Sequence, residues 1–197
     1  MREEKFLAPA DGSMQIIDFC AGDEKAIRQA ANLLIDGFKD HWPNAWPDLA
    51  SARKEVQEAL QPDRINRIAV DAQGAVLGWI GGRSEYDGNA WELHPLVVRP
   101  DQQGKGIGRM LVNDLEAQVR ERGGITIYLG TDDEDRMTTL ADVDLYPNVL
   151  EHITRIKNLR RHPYEFYQKQ GYVIVGVIPD ANGAGKPDII MAKRVRR

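Results

Sequence analysis

The sequence contains one cysteine, Cys20, in 197 residues. A lone thiol excludes an internal disulfide and a cysteine-built metal cluster, and its expected place is as a small buried hydrophobe near the end of the first strand. No metal site is expected elsewhere. Long apolar runs are also missing. No stretch approaches the roughly 20 apolar residues of a membrane span, and the N-terminus lacks the continuous apolar run of a signal peptide. A cytoplasmic protein without a membrane partner is therefore expected. Positive charge is short as well: 26 Lys and Arg face 30 Asp and Glu, for a net charge of −4. That balance argues against a nucleic-acid partner, and the basic tail from Lys193 to Arg197 reads as a solvated terminus. Repeats and low-complexity segments are absent.

What is present suffices for one core, with 42% hydrophobic residues in a length typical of a single domain. Residues 1–13 have little pattern and are expected to form a flexible N-terminal arm, with Met14 as an alternative start. Residues 14–197 are expected to form the domain. The most informative stretch runs Val97-Val98-Arg99-Pro100-Asp101-Gln102-Gln103-Gly104-Lys105-Gly106-Ile107-Gly108-Arg109. It places three glycines at alternate positions where a β-branched run meets an apolar-periodic one. Glycine repeated this way suits positive φ or close backbone approach, and a helix N-terminus behind it suits a phosphate.

Two familiar phosphate loops can be tested and both fail. A nucleotide P-loop needs a hydroxyl after its Gly-Lys, but Ile107 follows Lys105-Gly106. A dinucleotide fingerprint needs a third glycine where Arg109 or Leu111 stands. The remaining pattern is Gln103-x-x-Gly106-x-Gly108. Behind it Ile107, Leu111, Leu115 and Val119 recur every four residues, a helical stripe that ends at Arg122-Gly123-Gly124.

Elsewhere the periodicities predict a strand at 14–19, a helix capped by Asp23 with the stripe Ile27, Ala30, Ala31, Leu34 and Phe38, a break at 41–47, and a helix at 48–60. A hairpin at 64–83, a strand at 90–99, the glycine loop with its helix, and a strand at 125–130 follow. Region 132–161 is harder to read, with a weak helical period over 149–159. A short helix at 162–170 and strands at 172–178 and 188–195 complete the chain. The order β-α-α-β-β-β-α-β-α-β-β predicts an α/β fold, a mixed and mostly antiparallel sheet flanked by helices.

The loop Gln103-x-x-Gly106-x-Gly108 resembles the pyrophosphate loop of the GCN5-related N-acetyltransferases, the GNAT superfamily, and the element order is similar to theirs. Further stretches resemble a narrower group: Trp91-Glu92-Leu93-His94-Pro95-Leu96-Val97-Val98, Leu129-Gly130-Thr131-Asp132-Asp133-Glu134, and His162-Pro163-Tyr164-Glu165-Phe166-Tyr167 through Tyr172. With Ile178 to Gly183 and Lys186-Pro187-Asp188-Ile189, they resemble the chromosomal enterococcal type of aminoglycoside 6′-N-acetyltransferase, from about Ala31 to the C-terminus. The resemblance implies acetyl-CoA as cofactor, aminoglycosides as acceptors, antibiotic resistance as an outcome, and a homodimer. One departure is visible. Many GNAT proteins carry Asn six residues before the Phe-Tyr pair, where Arg160 stands here; Asn158 is two residues early and receives no cofactor role.

Acetyl transfer needs a held thioester, an amine relieved of its proton and a hydrogen-bond donor for the departing thiolate. Glu92 is the expected base, by its place on the strand and by the resemblance; the alternative is a solvated carboxylate on an edge strand. His94, on the same strand face, is a second possible base or a structural residue. By the resemblance Tyr167 reaches the coenzyme sulfur, while its ring, like that of Phe166, also suits packing of the short helix. The pyrophosphate is expected on Gln103, Gly104, Lys105, Gly106, Ile107, Gly108 and Arg109, and the pantetheine arm along Leu96, Val97 and Val98. Asp132 and Asp133 are expected ammonium partners, or simply part of an acidic surface. Tyr86 and Trp42 or Trp46 are expected as a wall for sugar rings; each tryptophan, being followed by proline, equally suits a structural corner. Competing functions are acetylation of a polyamine or a small basic protein, and a non-catalytic acyl-CoA-binding module.

Overall fold

A computed structural model describes residues 14–39 and 45–196. The N-terminal arm and Trp42 lie outside the described residues. The strands follow the order β1-β2-β3-β4-β5-β7-β6 in one seven-stranded sheet. Of the strand pairs with assigned register, only that between β4 (Ala90–Val98) and β5 (Thr126–Asp132) is parallel. The expected α/β class is observed, and so is the element order apart from one additional short helix between the fifth and sixth strands. The chain divides into two compact units, residues 1–83 with 94–118 and residues 84–93 with 119–197. Strand β4 passes from one to the other at Leu93–His94.

In the first unit, β1 (Gln15–Asp18), β2 (Arg64–Val70) and β3 (Val76–Glu85) pair antiparallel. Helix α1 (Glu24–Phe38) begins where the Asp23 carboxylate accepts the Ala26 N–H at 2.9 Å, satisfying one orphan donor of the first turn. Helix α2 (Leu49–Ala59) begins with a reciprocal capping box between Asp48 and Ser51. The predicted stripe is buried through Ile27, Ala30, Ala31 and Leu34, and the two helices join Ile68, Trp79 and Val97 in one core. The polar atoms inside this core are paired: the Trp79 indole donates to Asn66 Oδ1 at 3.0 Å, and Asn66 donates to the Ala59 carbonyl. Cys20 departs from expectation. It is exposed, because the neighbouring Phe19 takes the core position edge-on to Trp79.

In the second unit, β5 pairs antiparallel with β7 (Asp188–Arg194), which pairs with the edge strand β6 (Val173–Ile178). Helix α3 (Ile107–Glu121), which belongs to the first unit up to Gln118, buries all four residues of its predicted stripe. In the unclear region the helix α4 (Val149–Thr154) stops earlier than the weak period suggested. Leu150 and Leu159 are exposed, so no buried face extends the helix, and Asn158 bridges to Thr138 instead. The last helix, α5 (Tyr164–Lys169), precedes the closing hairpin.

Candidate active site

The glycine loop joins β4 to α3. Gly104 and Gly106 have φ of +77° and +87°, a region that side chains with a Cβ rarely adopt. A Cβ at Gly104 would meet nothing within 4 Å, and one at Gly106 only the tip of Arg109 at 3.8 Å. Packing therefore does not demand these glycines; the backbone path does. Gln103 ties the loop to β4 by donating to the Val98 carbonyl at 3.2 Å, and Lys105 donates to Gln102 at 3.0 Å. The Met110 N–H bonds to the Gly106 carbonyl, so the N–H groups just ahead of it stand at the helix end without intrahelical acceptors. A helix end of this kind can hold an anion. The expected cofactor residues from Gln103 to Arg109 thus share one loop and first helical turn, and Leu96 to Val98 lead directly into it.

The second set lies on β4, β5 and β7. The β4–β5 ladder consists of the rungs Ala90–Thr126, Trp91–Ile127 and Glu92–Tyr128. Alternation places Tyr128, Gly130 and Asp132 on one face of β5, and that is the face of Glu92. Trp91, Leu93, Ile127 and Leu129 are buried on the opposite face. Asp132 holds its place twice: its carboxylate accepts from Asn182, and its carbonyl accepts from His162 Nε2 at 2.9 Å. Directly across the ladder from Asp132 stands Asp188, a residue without an expected role. Its carboxylate fills the space beside Gly130, where a Cβ would lie 2.8 Å from Oδ1. Burial, then the charge of Asp132, push the Asp188 carboxyl up to about 6; the Thr131 N–H pulls the other way and Glu92 adds to the rise. Its Oδ1 is buried with no hydrogen-bond partner among the described residues.

Asp133 occupies a different place from Asp132. It is fully buried, and its two oxygens accept the N–H groups of Met137 at 2.6 Å and Thr138 at 2.8 Å. The carboxylate closes the 133–138 loop and faces no solvent from which an ammonium would arrive.

His162 is also buried. Its Nδ1 accepts the Tyr164 N–H at 3.2 Å, so Nε2 carries the proton donated to Asp132. Burial holds its imidazole below the ordinary range and therefore neutral. Asn158 is accounted for by the same corner: it exchanges hydrogen bonds with the backbone of His162. Tyr167, on α5, packs edge-on against Phe166 and Tyr172 with ring centroids at 5.1 and 5.8 Å. Burial pushes its phenol strongly upward, so the O–H remains a donor at any working pH.

Of the expected wall, Tyr86 is 75% exposed at a turn where it and Asp87 have positive φ. Trp46 instead packs its ring on Phe38, centroids 4.9 Å apart, and donates its indole N–H to Glu55. His94 is exposed, with Nε2 3.7 Å from the Glu55 carboxylate. Glu55 lies on α2 and had no expected role.

Residues 29–141 match the model of the acetyltransferase (GNAT) family. The chain belongs to that family. Among solved structures, this GNAT chain is similar to an aminoglycoside 6′-N-acetyltransferase complexed with coenzyme A, at 46% identity over 93% of this chain and 98% of the other, with a TM-score of 0.85. It has the same identity and coverages with the aminoglycoside 6′-N-acetyltransferase from Enterococcus faecium, at a TM-score of 0.83. Aminoglycoside 6′-acetyltransferase type Ii is 40% identical, with a TM-score of 0.70. No match was found among curated proteins.

GNAT enzymes take acetyl from acetyl-CoA, and the glycine loop fits that donor by its positive-φ backbone and open Cβ positions. The expected residues that the GNAT fold brings together are the loop with the end of β4, and Glu92 with Asp132. Sequence reasoning missed Asp188, His162 and Glu55. Asp188 and His162 do fall inside motifs that carried the resemblance, whereas Glu55 has no local signal beyond a polar position on an amphipathic helix.

Proposed function

We propose that this protein transfers acetyl from acetyl-CoA to the 6′ amine of an aminoglycoside, with residues 14–197 carrying the activity. The observation that supports this most is the 46% identity to aminoglycoside 6′-N-acetyltransferases across 93% of the chain. The acidic face formed by Glu92, Asp132 and Asp188 supports a polycationic acceptor, since carboxylates grouped on one face concentrate negative potential.

When bound, acetyl-CoA supplies the acetyl group as an activated thioester. The N–H groups from Gln103 to Arg109 hold its pyrophosphate, with Lys105 and Arg109 adding charge. The backbone of Leu96 to Val98 holds the pantetheine amides, as β4 runs on beyond its last rung with β5. Glu92 takes the proton of the acceptor ammonium, directly or through water. Asp132 holds a second ammonium. The Tyr167 O–H donates to the departing sulfur. Tyr86 offers an exposed ring to a sugar face. Asp133 and Trp46, expected in the same set, serve the site through the loop and the Glu55 contact instead.

The assembly in this reading is a homodimer. The edge strand β6 leaves Val173, Val175 and Ile178 more than half exposed, a patch suited to burial against a second copy. The work site is the cytoplasm, where acetyl-CoA is made, and the outcome for the host is aminoglycoside resistance. Incubation with acetyl-CoA and tobramycin, followed by mass spectrometry and NMR, tests the reading: one added acetyl on the 6′ nitrogen is expected. Acetylation at another nitrogen, or of spermidine in preference, would overturn it.

A further inference from the structure

Strand β5 runs past its last rung with β4, Glu92–Tyr128, and ends at Asp132. Next to it the Asp133 N–H donates to the Pro187 carbonyl, just ahead of β7. By alternation along the strand, the Asp132 carbonyl therefore points to the other side, away from β7. His162 meets it there. This residue is 1% exposed, and its Nε2 donates to the Asp132 carbonyl at 2.9 Å. At the other edge of the ring, Nδ1 accepts the Tyr164 N–H at 3.2 Å. Tyr164 is the first residue of α5, and Pro163 before it has no side-chain acceptor, so the imidazole supplies the cap. Burial keeps the ring neutral against the charges of Asp133 and Asp132, the form in which one nitrogen donates and the other accepts. The ring is held from its own backbone as well. Asn158 accepts the His162 N–H at 2.7 Å and donates to its carbonyl at 2.9 Å.

The two partners of the imidazole have separate tasks in the function proposed above. Asp132 holds a second ammonium of the acceptor, and Tyr167, one turn along α5 from Tyr164, donates to the departing sulfur. We infer that His162 is a positioning residue for both: through Nε2 it fixes Asp132 for the acceptor, and through Nδ1 it fixes α5 so that the Tyr167 O–H meets the sulfur. This rests on the roles given there to Asp132 and Tyr167. A purely structural His162 would tie β5 to α5, and any substitution would lower stability without dividing the kinetic constants.

The two bonds can be removed one at a time. Glutamine places its amide nitrogen near the position of Nε2 and keeps the donor for Asp132, but offers no acceptor to Tyr164; asparagine places its amide oxygen near Nδ1 and does the reverse. Steady-state kinetics with tobramycin and acetyl-CoA on His162→Gln, His162→Asn and the double variant His162→Gln/Tyr167→Phe, well below each midpoint, test the inference. For His162→Gln, kcat is expected to fall on the order of tenfold, because the displaced phenol acts in the transition state, with the tobramycin KM within about twofold of wild type. For His162→Asn, the tobramycin KM is expected to rise on the order of tenfold, the scale of one charge-assisted hydrogen bond, with kcat within about twofold. In the Tyr167→Phe background, His162→Gln has no further effect on kcat. The same change in both variants, wild-type constants with a lowered Tm, or a further kcat loss in the double variant would overturn the inference while the acetyl-transfer reading stands. If the variants do not fold, nitrogen NMR of the wild-type imidazole at neutral pH decides: a proton on Nε2 alone is expected, and one on Nδ1 or on both nitrogens overturns the inference. A wild-type protein that does not acetylate tobramycin would fail the underlying reading instead.

Discussion

Replacing Asp133 separates the two roles a carboxylate can have beside an acceptor site. The side chain is fully buried and receives two backbone N–H groups at 2.6 and 2.8 Å. Each is a hydrogen bond to a charged group, of about 1.5–3 kcal/mol. Asp133→Asn keeps the shape and one acceptor but turns an NH2 toward the other N–H, so one bond is lost and a buried donor is left facing a donor. The cost is about 2–3 kcal/mol by the same scale, and Asp133→Ala, which loses both, costs about 3–6 kcal/mol. For a protein of this length about 2–4 °C of midpoint accompanies each kcal/mol, so Asp133→Asn is expected to lower Tm by about 4–12 °C. Differential scanning calorimetry measures this, and steady-state kinetics well below the transition measure the tobramycin KM, expected within about twofold of wild type. A variant with wild-type Tm and a tobramycin KM raised tenfold would refute the loop-closing role and restore Asp133 as an ammonium partner.

Other predictions follow from the same geometry. Gly106→Val places a β-branched residue at φ +87°, so the acetyl-CoA Kd is expected to rise at least tenfold by calorimetric titration; unchanged affinity would remove the pyrophosphate from this loop. Tyr167→Phe keeps the buried ring and loses the donor, so kcat should fall about 10–100-fold with residual turnover and little change in Tm. Asp188→Asn should raise Tm at pH 7. The rise of its carboxyl from 3.8 to about 6 is worth roughly 3 kcal/mol at full value, and solvent screening of this partly exposed side chain reduces that to about 1–2 kcal/mol. Because the folded form binds the proton more tightly, the Asp188 cost is present above about pH 6 and vanishes toward pH 3.8, and the Tm gain of the variant should vanish with it. His162 has the opposite sign: its folded imidazole lies below 6.5, so its contribution is lost as pH falls below about 6.5, and in Asp188→Asn this loss should stand alone.

Much of this fold was legible because periodic elements announce their own buried faces. The α3 stripe is buried as read and the α1 stripe is too, apart from the half-buried Phe38, and the Asp23 cap starts its helix where expected. Region 132–161 resisted because its order comes from side chains capping backbone, as in Asp133 on the 137–138 turn and Asn158 on His162, which leave no period to read. Cys20 was misplaced because a strand end offers two adjacent apolar residues and only one inward position, which Phe19 takes. In the candidate site, Gly104 and Gly106 were visible because their backbone requirement admits almost no other residue. The roles of Asp132 and Asp133 were not separable, since two adjacent aspartates differ only in which one the chain turns inward. Asp188 and Glu55 depend on long-range pairing, with Asp132 and with His94, and no local pattern carries that.

The central claim is tested most directly by coenzyme A thiol released from acetyl-CoA by the purified protein. Tobramycin, its analogue with hydroxyl in place of the 6′ amine, and a no-amine blank are compared at equal concentration. The account predicts release with tobramycin and blank-level release with the hydroxyl analogue. Equal release with both acceptors, or release with neither despite measurable acetyl-CoA binding, would contradict it.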